Sequence, residues 1–170
     1  MKIGILSDSH HKNEYLKECI EFLKKENCEY LIHAGDICSK YGLDILKNSN
    51  LKYIAVFGNN DRELFQFSED YNIKKEPYYF KIKDKSFKLM HLPFHLHPDT
   101  DIIIFGHTHK FDCEYKNKKL FINPGEACAR EKPIISCAKL EINTNEYIIT
   151  HYFKNTNENN FMKEEFRYEQ

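Results

Sequence analysis

Short continuous apolar runs alternate with stretches in which apolar residues recur every three or four positions, and this rhythm organises the first third of the chain. Residues 3–6 form such a run and stop at Ser7-Asp8-Ser9-His10, after which Leu16, Cys19, Ile20 and Leu23 follow at helical spacing. Residues 30–33 predict a second strand ending at Ala34-Gly35-Asp36, residues 41–46 a helix, and residues 52–57 a third strand ending at Gly58-Asn59-Asn60-Asp61. Strands alternating with helices predict a sheet with parallel neighbours.

From residue 78 the helical period disappears. Residues 78–83, 86–91 and 101–105 are strand-like, residues 112–115 and 119–122 flank the polar Lys116-Asn117-Lys118 as a hairpin, and 134–140 with 147–153 flank Asn143-Thr144-Asn145 as another. An α/β first half feeding a β-rich second half predicts two sheets packed face to face with helices outside. Residues 155–170 are polar apart from Phe161, Met162, Phe166 and Tyr168, and are expected to form a short docked helix or a loose tail. With no repeat, low-complexity tract or Pro/Gly linker, residues 1–154 are expected to form a single domain.

The 170 residues suit one core of fair size, because 41% are hydrophobic and 13 Phe with 11 Tyr supply its bulk in the absence of Trp. Disordered and fibrous classes are excluded. Lys and Arg number 25 against 26 Asp and Glu, so the net charge of -1 counts against gripping a nucleic-acid backbone without removing it as a substrate. No basic, apolar leader opens the chain, and no apolar run approaches a membrane span, so a soluble cytoplasmic protein is expected, with self-association left open. Six cysteines lie in or beside apolar segments and none forms a CxxC pair, which predicts reduced, packed thiols.

The chemistry collects at strand ends: Asp8 and His10, Asp36, Asn59, His91, then His107 and His109. Carboxyl ends of strands in an open sheet converge on one edge, so these distant groups can meet there. Asp8 and His10 are two residues apart, as are His107 and His109, a spacing that predicts paired aim by strand alternation. Singly, each has an ordinary reading: His91 as a buried hydrogen-bonding residue, Asn59 as a turn, Asp36 as a helix cap. Together they would leave polar groups uncompensated near a core unless a cation gathered them, and carboxylate, imidazole and amide ligands suit Mn²⁺, Fe²⁺, Zn²⁺, Co²⁺ or Ni²⁺.

Asp8-Ser9-His10, Gly35-Asp36, Gly58-Asn59-Asn60-Asp61, His91 and Gly106-His107-Thr108-His109 stand in the order and spacing of the calcineurin-like metallophosphoesterase signature, which the chain resembles over about residues 1–152. The Phe57-Gly58-Asn59 and Ile122-Asn123-Pro124-Gly125 segments are similar to the small bacterial and archaeal phosphodiesterase branch related to the retromer scaffold subunit. The resemblance implies a four-layer αββα sandwich of two mixed β-sheets and a centre of two divalent metal ions. Asp8, His10 and His109 would hold one ion, Asn59, His91 and His107 the other, and Asp36 would bridge them. Manganese is the expected metal, with nickel, zinc, iron or cobalt as alternatives. The implied activity is hydrolysis of a phosphoester small molecule or nucleotide by hydroxide bridging the metals; the alternative is a metal-binding scaffold with little catalysis.

Three departures qualify this. Many members of the superfamily carry a histidine where this chain has Asn60, so a leaving-group acid is missing and Asn60 is expected only to hydrogen-bond phosphate. The His-Gly-His of the superfamily is reduced to His91-Leu92-Pro93, and Asp101 arrives too soon for an intervening helix, which predicts a shortened cap. His95 and His97 in that segment are expected mainly as surface residues; His33 is expected to orient Asp36 or a neighbouring loop, His11 has no firm role, and Arg62 and Arg130 are candidates for a phosphate contact.

Overall fold

The computed structural model describes residues 1–170. In the first half, β1 (Lys2–Leu6), α1 (Asn13–Lys25), β2 (Tyr30–His33), α2 (Lys40–Lys47) and β3 (Lys52–Val56) alternate as the apolar rhythm predicts. Leu16, Cys19, Ile20 and Leu23 are the buried face of α1, and Ser39 caps α2 by accepting from the Gly42 N–H at 2.9 Å. A 3₁₀ turn at Arg62–Phe67 and the two-residue β4 (Ile73–Lys74) follow, neither of which carries a periodic signal.

The β-rich half comprises β5 (Tyr78–Ile82), β6 (Lys85–Leu89), β7 (Ile102–Ile104), β8 (Phe111–Lys116), β9 (Lys119–Pro124), β10 (Ile134–Ile142), β11 (Glu146–Asn155) and β12 (Met162–Glu169). One sheet has the order β12-β11-β10-β1-β2-β3-β4 and the other β5-β6-β7-β9-β8. Both are mixed: β1, β2, β3 and β4 run parallel, as do β6, β7 and β9, while the hairpins add antiparallel strands. The sheets pack through Ile3, Ile5, Ile32, Phe87, Leu89, Ile102, Ile104, Leu140 and Ile149, all buried, and both helices cover the opposite face of the larger sheet.

The outer helical layer expected over the second sheet is absent. Only nine residues separate His91 from Asp101, and this segment instead crosses β6, where buried Lys88 donates through Nζ to His95 O (2.9 Å), His97 O (2.8 Å) and Asp99 Oδ1 (2.5 Å). Residues 155–170 also differ from expectation. They hold neither a helix nor a loose tail, because Phe166 and Tyr168 point inward against Phe111 and Tyr115 at ring separations of 5.5 and 5.7 Å while Lys163, Glu165, Arg167 and Glu169 point outward, a period of two. The inward Glu164 breaks the apolar alternation and hides the strand in the sequence; it faces His151 at 3.8 Å.

Candidate metal centre

The parallel strands of both sheets end on the same edge of the sandwich. Asp8 and His10 follow β1, Asp36 follows β2 and Asn59 follows β3 in one sheet; His91 follows β6 and His107 with His109 follow β7 in the other. Strand alternation does not aim the two pairs. Both lie past their strand ends with left-handed backbones, at φ 53° for Asp8, 38° for His10, 67° for His107 and 60° for His109, and Asp36 is likewise at 58°. Such conformations cost on the order of 1–3 kcal/mol each and persist where surroundings over-determine them. Here Asp8 N donates to Gly35 O and His10 N to Asp36 O, both at 3.0 Å, and Gly106 N donates to His91 O at 3.2 Å.

The approach of these loops leaves no room at two glycines. A Cβ on Gly58 would lie 2.2 Å from Asp36 Oδ1, and one on Gly106 would lie 2.1 Å from Ser7 Oγ and 3.0 Å from Asp8 Oδ2.

Two clusters result, sharing one carboxylate. In the first, His109 Nε2 lies 3.3 Å and His10 Nε2 3.7 Å from Asp8 Oδ1, with the two ring nitrogens 3.3 Å apart. In the second, Asn59 Oδ1 lies 2.9 Å from His91 Nε2. Asp36 Oδ2 stands between them, 3.5 Å from His10 Nε2 and 3.4 Å from His91 Nε2. The ring of His107 is exposed and edge-on to His91 at 5.2 Å.

This arrangement fits divalent cations. Asp8 Oδ2 is engaged by Ser7 Oγ (2.6 Å) and His107 N (3.0 Å), but buried Asp8 Oδ1 has no hydrogen-bond partner and faces the imidazole nitrogens. Burial works to raise the Asp8 carboxyl, yet the adjacent His10 and His109 rings and the bond from Ser7 outweigh it and hold the group well below the usual range. Asp36 is likewise lowered to about 2, burial being overcome by His91 and Asn60, and His109 is raised to about 12, chiefly by the Asp8 carboxylate beside its Nε2. The pocket therefore keeps carboxylates ionised and attracts positive charge.

Three supporting carboxylates escaped the sequence reading as functional residues. Asp61 accepts from Asp36 N (2.8 Å), Cys38 N (2.7 Å) and Gly58 N (2.7 Å), joining the loops after β2 and β3. Glu76 accepts from the backbone N–H groups of His91 and Leu92, and Glu126 accepts from His109 Nδ1 at 2.8 Å. Asp61 stood within a recognised motif, whereas Glu76 and Glu126 had no local signal.

The remaining candidates fall as follows. Asn60 donates from N and Nδ2 to the two Asp36 oxygens at 2.9 and 2.7 Å. His33 Nε2 meets Ser9 Oγ at 3.2 Å, so it braces the loop after β1 and does not touch Asp36. Asn123 lies in β9 opposite Asp112, not in a turn, and donates through Nδ2 to Gly106 O (2.9 Å) and Thr108 Oγ1 (3.0 Å). His11, His95, His97, Arg62 and Arg130 are exposed and outside the two clusters. Cys38 Sγ lies 3.6 Å from His10 Nδ1, on the ring edge turned away from Asp8, and Cys128 Sγ donates to Glu126 Oε2 at 3.0 Å, within 4.8 Å of ring nitrogens of His10 and His109.

Comparison with known proteins agrees with this fold. The calcineurin-like phosphoesterase superfamily domain matches residues 1–145. The phosphodiesterase MJ0936 of Methanocaldococcus jannaschii is 33% identical over 160 residues, covering 86% of this chain and 96% of its own length. A solved archaeal phosphodiesterase superposes with a TM-score of 0.73 at 32% identity, covering 86% of this chain and 97% of its own. Vps29 of Chaetomium thermophilum superposes with a TM-score of 0.79, covering 100% of this chain and 99% of its own, and at 15% identity that likeness shows the fold alone. With the family domain spanning most of its length and a third of its residues shared with a relative of equal extent, the chain belongs to the calcineurin-like phosphoesterase superfamily.

Proposed function

We propose that this protein is a metal-dependent phosphodiesterase acting on a phosphoester small molecule or nucleotide through a binuclear centre, with manganese as the favoured metal. The observation that carries the reading is the Asp36 carboxylate shared between the Asp8–His10–His109 and Asn59–His91 clusters, beside the unpartnered Asp8 Oδ1. Asp8, His10 and His109 would hold one ion and Asn59, His91 and His107 the other, with Asp36 common to both. When bound, such ions supply Lewis acidity toward a water and toward phosphoryl oxygens.

The chain's own residues supply positioning. Asn60 keeps one amide N–H beyond the bond it gives to Asp36, free to meet a phosphoryl oxygen. No imidazole occupies its place, so the leaving oxygen receives no proton from that position and activated leaving groups are favoured over alkoxides. The six free thiols fit a reducing, cytoplasmic setting. Residues 1–154, with β12 added to the sheet, would work as a single unit.

The test is turnover of bis(p-nitrophenyl) phosphate with Mn²⁺ or Ni²⁺ by wild type and Asp36→Ala. A fall of about a hundredfold or more is expected, since both clusters lose their common ligand; equal turnover by the two proteins would defeat the reading. A scaffold role is the second reading, favoured by Phe94 and Leu96, 73% and 37% exposed on the short segment after His91. Tight metal binding with no turnover of any phosphoester, together with a stable partner in pull-down, would favour it.

A further inference from the structure

Glu126 is 4% exposed, lies beyond the last strand of the smaller sheet, and is surrounded by donors. Its Oε1 accepts from Glu131 N (2.9 Å) and Lys132 N (3.4 Å). Its Oε2 accepts from His109 Nδ1 (2.8 Å), Arg130 N (2.8 Å) and Cys128 Sγ (3.0 Å). The carboxylate thus folds the 128–132 segment around itself and ties that segment to one imidazole edge. A ring free to rotate about its bonds would present either nitrogen to the pocket. With Nδ1 bonded to Glu126, it is Nε2 that faces Asp8 Oδ1 and His10 Nε2, both at 3.3 Å.

We propose that Glu126 is a positioning residue for the first cation site: by taking the Nδ1 hydrogen of His109 it fixes the ring and commits Nε2 to the ion. The inference rests on the reading that Asp8, His10 and His109 hold a divalent cation. It also assigns Cys128 a supporting place, because its S–H is spent on the same Glu126 oxygen. A carboxylate in this position orients the ring and raises its basicity toward a metal.

The experiment measures zinc affinity, not turnover. Wild type, Glu126→Ala, Glu126→Gln and a remote control, Glu164→Ala, are stripped of metal and titrated with zinc against a chromophoric chelator, while melting of the metal-free proteins is followed in parallel. Glu126→Ala is expected to weaken the tightest zinc site about 10- to 100-fold. Glu126→Gln, which retains a carbonyl oxygen for Nδ1–H, should recover part of that loss, and Glu164→Ala should match wild type. Unchanged zinc affinity in a folded Glu126→Ala protein overturns the proposal. Should that variant fail to fold, nitrogen-15 spectra of zinc-loaded wild type decide: a downfield, slowly exchanging His109 Nδ1–H supports the bond, and one exchanging freely with water overturns it. Wild type that binds zinc but hydrolyses nothing would remove the phosphodiesterase reading and leave Glu126 in its role, whereas wild type that binds no zinc overturns both.

Discussion

Asp61 touches no prospective substrate, yet its two oxygens take three backbone hydrogens from the loops that present Asp36 and Asn59. Removing the carboxylate strands those donors in a buried place, at a cost of about 3 kcal/mol. Asp61→Ala should therefore lower the unfolding free energy obtained from urea titration by that much and reduce turnover with it, while Asp61→Asn, which keeps one acceptor oxygen, should lose less. His151 gives a second residue-scale expectation. Stacked on Phe111 at 3.9 Å and bonded through Nε2 to Ser136 Oγ at 2.8 Å, its imidazole is pushed by burial from 6.5 down to about 4, against the pull of Glu164. The unfolded ring takes a proton that the folded ring refuses between those values. Its contribution is intact above pH 6.5, is lost as pH falls toward 4, and loses nothing further below. Melting temperature in His151→Phe should accordingly fall less steeply than in wild type across that window.

Among the elements, those whose residues are buried on both sides were readable as continuous runs: Ile3 to Leu6, Tyr30 to His33 and Ile102 to Ile104. The residues gathered at the candidate site were readable for the same reason, since each interrupts or follows such a run. What sequence spacing misjudged was the cause of their aim. Asp8 and His10 converge through left-handed backbone and loop lacing, neither of which leaves a periodic trace. Strand β12 was hidden by the charge at Glu164, and the Lys88 tie by a lysine within a strand whose acceptors are backbone carbonyls. That tie is testable. Lys88→Met keeps the bulk but orphans three acceptors, so the 92–100 segment should open about tenfold more often and be nicked correspondingly faster by protease.

At the scale of the molecule, the seven proposed ligand residues are divided between the two sheets: Asp8, His10, Asp36 and Asn59 follow strands of the larger, His91, His107 and His109 strands of the smaller. Metal held by this set would clasp the sandwich along one edge. At a free concentration a hundred times the dissociation constant, binding adds about 2.7 kcal/mol. For a chain of this length that corresponds to roughly 5–11 °C in melting temperature, so chelator treatment should lower the transition by this amount and manganese should restore it. Near-neutral net charge gives no long-range attraction to polyanions, and turnover of a small diester should vary little between 50 and 200 mM salt.

The cramped backbone at Gly58 and Gly106 has a practical corollary. In a saturation library screened for turnover, these two columns should return only the parental codon, as blank as those of Asp8 or Asp36, although neither glycine offers an atom to the reaction. A screen that scores substitutions alone would rank them as catalytic. Soluble yield of each variant would separate the classes, because a methyl group forced into either gap wedges the loops apart and harms folding as well as activity, whereas exchanging a proposed ligand leaves the metal-free fold in place and removes activity.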